Sequence, residues 1–215
     1  MKLVKILSVL LLIYTAAAGI LLEVPRLPIL NETIRVLYFH VPMWFTMIFL
    51  LLLSSFNAYK FISTKNIKYD LISYNYAHVG VYFGVLGIVT GMIWANYTWG
   101  TFWTNDPKLN GSAVGLLIYF GYFVLRNSIE DESKKAKVSS VYSVFAFSML
   151  IPLIFILPRL TDSLHPGNGG NPGFNVYDLN SQLRLVFYPA VIGFICLGLW
   201  IANIKFKLLK LTDKR

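Results

Sequence analysis

Val36-Leu-Tyr-Phe-His-Val-Pro-Met-Trp-Phe-Thr-Met-Ile-Phe-Leu-Leu-Leu-Leu-Ser-Ser-Phe-Asn-Ala-Tyr59 runs from Arg35 to Lys60 without a charge. A helix rises about 1.5 Å per residue, so roughly 17–25 uncharged residues cross the hydrocarbon of a bilayer. This stretch suffices, and it has counterparts at 6–22, 71–95, 109–125, 138–158 and 185–204. The segment from 71 meets no charge before Asp106, so residues 96–105 are read as loop. Composition agrees: 56% of residues are hydrophobic and 13% charged, with a mean hydropathy of +0.61. A soluble domain carries nearer a quarter of charged residues. The expected fold is all-α, a polytopic membrane protein of six transmembrane helices. Residues 1–215 form a single integral membrane domain in this reading, with helices near 6–22, 38–59, 71–95, 109–126, 138–157 and 185–204.

Orientation follows from the bias of Lys and Arg among short loops. With both termini cytoplasmic, the inner segments carry Lys2, Lys5, Lys60, Lys65, Lys68, Arg126, Lys134, Lys135, Lys137, Lys205, Lys207, Lys210, Lys214 and Arg215. The outer segments carry only Arg26, Arg35, Lys108, Arg159 and Arg184, balanced by Glu23, Glu32, Asp106, Asp162 and Asp178. The net charge of +9 therefore falls on the inner face, where it serves topology and the lipid bilayer rather than nucleic acid. Met1-Lys-Leu-Val-Lys5 before an apolar run ending in Ala16-Ala-Ala18 also reads as a cleavable signal. That run exceeds the usual apolar core of about 7–15 residues, so a retained first helix is the expectation. The one cysteine, Cys196, falls inside the last helix and gives neither a disulfide nor a thiolate site. The chain has no internal repeat of the kind that builds many secondary transporters. It also lacks a Gly-x-x-x-x-Gly-Lys-Ser/Thr loop, so ATP energy would have to come from a partner.

The inner loops 60–70 and 126–137 are short, charged and plain. The outer loops 23–37, 96–108 and 158–184 and their margins hold the chemistry. Trp99-Gly-Thr-Phe-Trp-Thr-Asn-Asp106 sets aromatic faces beside a carboxylate, which suits a flat, apolar, partly charged ligand. Trp99 and Trp103 are four apart and Phe102 three from Trp99, spacings at which a helical or turn-like loop aligns the rings on one face. Asn105-Asp106-Pro107 is a helix-entry signal, so Asp106 reads equally as a helix start. His40 precedes Pro42, which suits the first turn of a helix and places His40 at its outer mouth. His165 follows helix five, beside a Gly- and Asn-rich run, Gly167-Asn-Gly-Gly-Asn-Pro-Gly173, read as a flap. Both histidines fall at one membrane depth. An imidazole there is either an amphipathic anchor or a ligand, and neutral imidazole is a common axial ligand to heme iron. His78, early in helix three, reads as a helix-to-helix hydrogen bond or an inner heme or proton site. Trp44, Trp94 and Trp200 are explained by the aromatic belt. Arg159, Arg184 and Lys108 either flank helix ends or pair with ligand carboxylates such as heme propionates.

These residues resemble a known family. Ile34-Arg-Val-Leu-Tyr-Phe-His-Val-Pro42 is similar to the Tyr-Ile-His-Val-Pro entry to helix two of the cytochrome c maturation protein C (heme exporter protein C) family. Gly87-Ile-Val-Thr-Gly91 and Trp94 lead, as there, into Trp99-Gly-Thr-Phe-Trp103 and Asp106, and Leu164-His165-Pro-Gly167 resembles the segment after helix five. Phe102 and Asn105 stand where the family motif carries tryptophans. The resemblance covers roughly 34–200 and implies a heme-binding protein of cytochrome c biogenesis in the bacterial inner membrane, not an enzyme. In it, heme b is held non-covalently at the periplasmic face, with His40 and His165 as axial iron ligands and Trp99, Phe102, Trp103 and Asp106 around the macrocycle. The implied partners are a periplasmic heme chaperone, an ABC-type ATP-binding subunit and further membrane subunits. The alternatives are a permease subunit of an ABC-type exporter of heme or a small solute, and a structural subunit whose aromatic loop docks a partner.

Overall fold

The computed structural model describes residues 1–165 and 179–212. The Gly- and Asn-rich run 167–173, read as a flap, lies outside the described residues, together with Asp178, Lys214 and Arg215. The helices are α1 (Lys2–Leu21), α2 (Leu37–Thr64), α3 (Ile67–Trp99), α4 (Pro107–Asn127), α5 (Glu132–Ile151) and α6 (Ser181–Thr212). A 3₁₀ turn, Asn31–Val36, leads into α2. A π-helical turn at Pro152–Ile156 and a short α turn at Leu157–Leu160 prolong α5. Among the described residues there is no strand, and six helices are long and apolar enough to cross a membrane.

The helices overrun the charge-free segments that announce them. The α2 helix runs on to Thr64, α3 starts at Ile67, α5 starts at Glu132 and α6 reaches Thr212. A hydropathy segment stops at the first charge, whereas a helix stops where its end groups are satisfied. Lys65 closes α2 in the left-handed conformation. The Asn66 side chain accepts the Lys68 N–H to start α3, and Asp131 accepts the Lys134 N–H to start α5. Inner loop 60–70 therefore shrinks to Lys65 and Asn66. At the other end α3 continues through 96–99, and the expected loop there is shorter by those residues. Pro42 lies inside α2 rather than in its first turn. It withholds the amide that the Tyr38 carbonyl would otherwise accept.

Packing is inverted relative to a soluble protein, as hydrocarbon solvent requires. Leu3, Ile13, Leu117 and Val124 face outward, while polar groups join helices inside. α2 lies against α3, α5 and α6; α1 packs on α6 and α4 on α5. The Ser54 hydroxyl reaches the Ser73 carbonyl (2.8 Å), Ser73 Oγ (3.1 Å) and Ser143 Oγ (3.2 Å), linking α2, α3 and α5. The Asn75 amide donates to the Ala202 carbonyl at 2.6 Å, linking α3 to α6. In a bilayer such bonds replace the hydrophobic driving force between helices. Arg126 and Asp70 are not solvated loop charges. Both are buried and form a bidentate pair at 2.7 and 2.6 Å that ties α4 to α3. The Arg126 guanidinium also lies over the Tyr74 ring, 4.7 Å from its centroid.

Candidate functional site

Because α2 and α3 are antiparallel neighbours, the start of one meets the end of the other. His40 lies one turn inside α2, and its Nδ1 is 3.1 Å from the Thr90 hydroxyl on α3. That hydroxyl donates to the Leu86 carbonyl at 2.8 Å. Its single proton is thereby used, so it accepts from His40. The proton sits on Nδ1 and the lone pair on Nε2, a tautomer assigned from the hydrogen-bond network. The Trp44 and Trp94 rings stand edge-on to the imidazole, with centroids 6.4 and 5.8 Å away. Trp94 is held in turn by its Nε1–H on the Thr33 hydroxyl at 3.2 Å. Gly91 makes the niche possible: a Cβ there would lie 2.7 Å from His40 Cε1.

The tryptophan stretch begins where α3 ends. Gly100 closes that helix with φ of 76°, a left-handed turn that glycine adopts without steric cost. The turn ends the helical register after Trp99, so Phe102 and Trp103 do not share a helix face with it. The Trp99 ring packs edge-on against His165 with centroids 5.1 Å apart. The Trp103 indole donates to Asn110 Oδ1 at 3.2 Å, and the Asn110 amide donates to Asn105 Oδ1 at 2.7 Å. Asn105 thus holds the loop to α4. Phe102 and Trp103 remain 52% and 39% exposed, in the loop between Trp99 and Asp106.

Asp106 joins the two readings that its sequence context allowed. Its Oδ1 accepts the N–H groups of Lys108 (2.9 Å) and Leu109 (3.2 Å), starting α4 with Pro107 in the first helical turn. Its Oδ2 accepts the Ser163 hydroxyl at 2.8 Å and the Leu164 N–H at 2.7 Å, and His165 Nδ1 lies 2.9 Å from Oδ1. Only 3% of the residue is exposed. Burial alone would raise its carboxyl pKa. The hydrogen bond and charge of His165, with the Leu164 and Ser163 bonds, outweigh it and hold the group well below the usual carboxylate range. An ionised carboxylate only accepts, so His165 carries a proton on Nδ1, and its neutral form presents Nε2 as the lone-pair nitrogen, a tautomer assigned from the hydrogen-bond network.

The structure thus brings His40, His165, Trp99 and Asp106 to one end of the bundle, with His165 and Lys108 within electrostatic reach of His40. His78 is elsewhere, in a nest of Tyr74, Tyr82 and Phe123. Twelve residues along α3 separate it from Thr90, about 18 Å at the helical rise. The Arg184 guanidinium is engaged by the Leu179 carbonyl at 2.7 Å. Trp44 and Trp94, which the aromatic belt alone explained, flank His40. Thr90 and Ser163 were not singled out at all. The available signal was the i,i+4 pairing of His40 with Trp44 and of Thr90 with Trp94.

The donor set fits heme iron. Two imidazoles with available Nε2 atoms are donors of the kind that would hold heme iron. Among the described residues no cluster of three or more His, Cys, Asp or Glu could hold a bare ion.

A family model described as CcmC, heme exporter protein C, matches residues 1–214. Heme exporter protein C of Haemophilus influenzae is 26% identical over 145 residues, covering 65% of this chain and 56% of that protein. The Rhodobacter capsulatus heme exporter protein C is 27% identical over 172 residues, covering 74% and 69%. A shorter match, 40% identical over 65 residues, is to the cytochrome c biogenesis protein CcsA of Prochlorococcus marinus, covering 30% of this chain and 21% of that protein. The chain spans about half the length of most of the curated relatives it matches.

Proposed function

The chain belongs to the heme exporter protein C family, and we propose that it binds heme b non-covalently at the His40–His165 end of the bundle and presents it for cytochrome c maturation. The recipient is a periplasmic heme chaperone. The protein acts in the bacterial inner membrane, with both termini cytoplasmic, beside an ABC-type ATP-binding subunit and further membrane subunits. The observation that carries the reading is the matched state of two imidazoles distant in sequence. Each is held at Nδ1 by an oxygen acceptor, which leaves Nε2 for iron.

The residues divide the work. His40 and His165 hold the iron from the helix entry and from the segment after α5. Trp99 steadies the His165 ring, while Phe102 and Trp103 offer apolar faces to the macrocycle. Aromatic contact holds a flat ligand without enclosing its edge, and an accessible edge is what a recipient that reacts with the vinyl groups requires. Nothing in this role makes or breaks a bond, so the chain serves as a carrier rather than an enzyme.

Complementation tests this function. In a bacterium lacking its own heme exporter protein C, the wild-type chain should restore heme-stained c-type cytochromes. The His40→Ala, His165→Ala double variant should not, at equal membrane abundance. Full restoration by the double variant would refute the proposal.

A further inference from the structure

The two imidazoles have unlike partners. His40 gives its Nδ1 proton to a neutral hydroxyl, Thr90, at 3.1 Å. His165 gives its proton to Asp106 at 2.9 Å, a carboxylate that is buried and itself gripped by four further donors, the Lys108, Leu109 and Leu164 N–H groups and the Ser163 hydroxyl. A charged acceptor makes a stronger hydrogen bond than a neutral one and pulls the shared proton further from the ring. The ring then carries more negative charge to its other nitrogen, the effect by which a carboxylate behind a ligating histidine raises its basicity.

Building on the heme-binding reading above, we propose that Asp106 is a positioning residue acting through His165: it fixes the Nδ1–H tautomer and makes His165 the stronger of the two iron ligands, the one that keeps the iron while His40 releases it. The rest of the geometry supports a firm anchor on that side. Asp106 is fastened to the start of α4, and the same carboxylate pins Ser163 and Leu164, so the segment carrying His165 is tied to a helix. Trp99 closes the ring's flank. His40 has equal confinement from Trp44 and Trp94, but the oxygens its ring meets on α3, the Thr90 hydroxyl and the Gly87 carbonyl, are neutral. Handover would then have an order, with His40 rather than His165 giving way to the recipient.

Asp106→Asn tests this cleanly, because Asn is as good an N-cap as Asp and preserves the start of α4. Three readouts separate positioning from folding. In the ¹⁵N spectrum of histidine-labelled protein without heme, assigned with His165→Ala, wild-type His165 should show the Nδ1–H tautomer and Asp106→Asn should disturb it. In heme-loaded protein, Asp106→Asn should shift the midpoint potential upward and speed heme loss to apomyoglobin by about 10–100-fold. Thr90→Val should change both far less, and His165→Ala should lose heme faster than His40→Ala. Heme uptake with an unchanged potential and off-rate in Asp106→Asn, or faster loss from His40→Ala, overturns the positioning role alone. No heme uptake by the wild type overturns the functional reading on which the proposal rests.

Discussion

Among the described residues the bundle buries a carboxylate near each end, and the two carboxylates have unlike partners. At the His78 end, Asp70 and Arg126 satisfy each other: two oxygens face two guanidinium nitrogens at 2.7 and 2.6 Å, under the Tyr74 ring. At the other end Asp106 meets an imidazole, which has a second nitrogen that the carboxylate does not reach. The first pair is closed and can only hold helices together. The second is open and leaves a lone pair for something else. Burial of an ion pair is thus no sign of function in itself; what counts is whether a donor or acceptor is left over. The surroundings follow the same division. Hydrogen-bonded serines and an Asn lock α2, α3, α5 and α6 in the interior, whereas the loop leading to Asp106 carries exposed Phe102 and Trp103.

Arg126→Leu should break the closed pair and give the largest effect. It leaves the Asp70 carboxylate buried without its partner, a change that costs about 3–5 kcal/mol. The variant should lose its monodisperse peak in detergent at a markedly lower temperature than wild type. An Asp70→Asn, Arg126→Met double variant should recover much of that loss. Gly91→Ala should strike the open side. Its new methyl meets the His40 ring at 2.7 Å, an overpacking worth about 1–3 kcal/mol. Heme affinity, measured by absorbance titration, should fall while the thermal midpoint drops only modestly. Gly100→Ala is the smallest and sharpens the contrast. Nothing stands within 4 Å of its Cβ, so the cost is only the left-handed backbone, about 1–2 kcal/mol. Its heme spectrum should match wild type. Equal heme loss in the two glycine variants would mean that the niche around His40 has no special role.

The number of helices was legible because each charge is costly in hydrocarbon, so the spans show as gaps between charges. Their ends were not, because Asn66, Asp131 and Lys65 terminate helices beyond the charges that bound those gaps. His40, Trp99, Asp106 and His165 stood out by residue type and by family resemblance. Thr90 did not, since a threonine in an apolar helix is unremarkable until its partner across the α2–α3 contact is known. The pairing of Arg126 with Asp70 was hidden for the same reason. The two lie 56 residues apart, and loop-charge counting has no term for a pair.

The central claim is that these two histidines ligate heme iron. Titrating hemin into the detergent-purified protein, with absorbance and low-temperature electron paramagnetic resonance on the same samples, tests it most directly. The prediction for wild type is a saturable Soret band with a low-spin ferric signal. His40→Ala and His165→Ala should each turn high-spin, and the double variant should retain no saturable band. A low-spin spectrum that persists unchanged in the folded double variant would contradict the account.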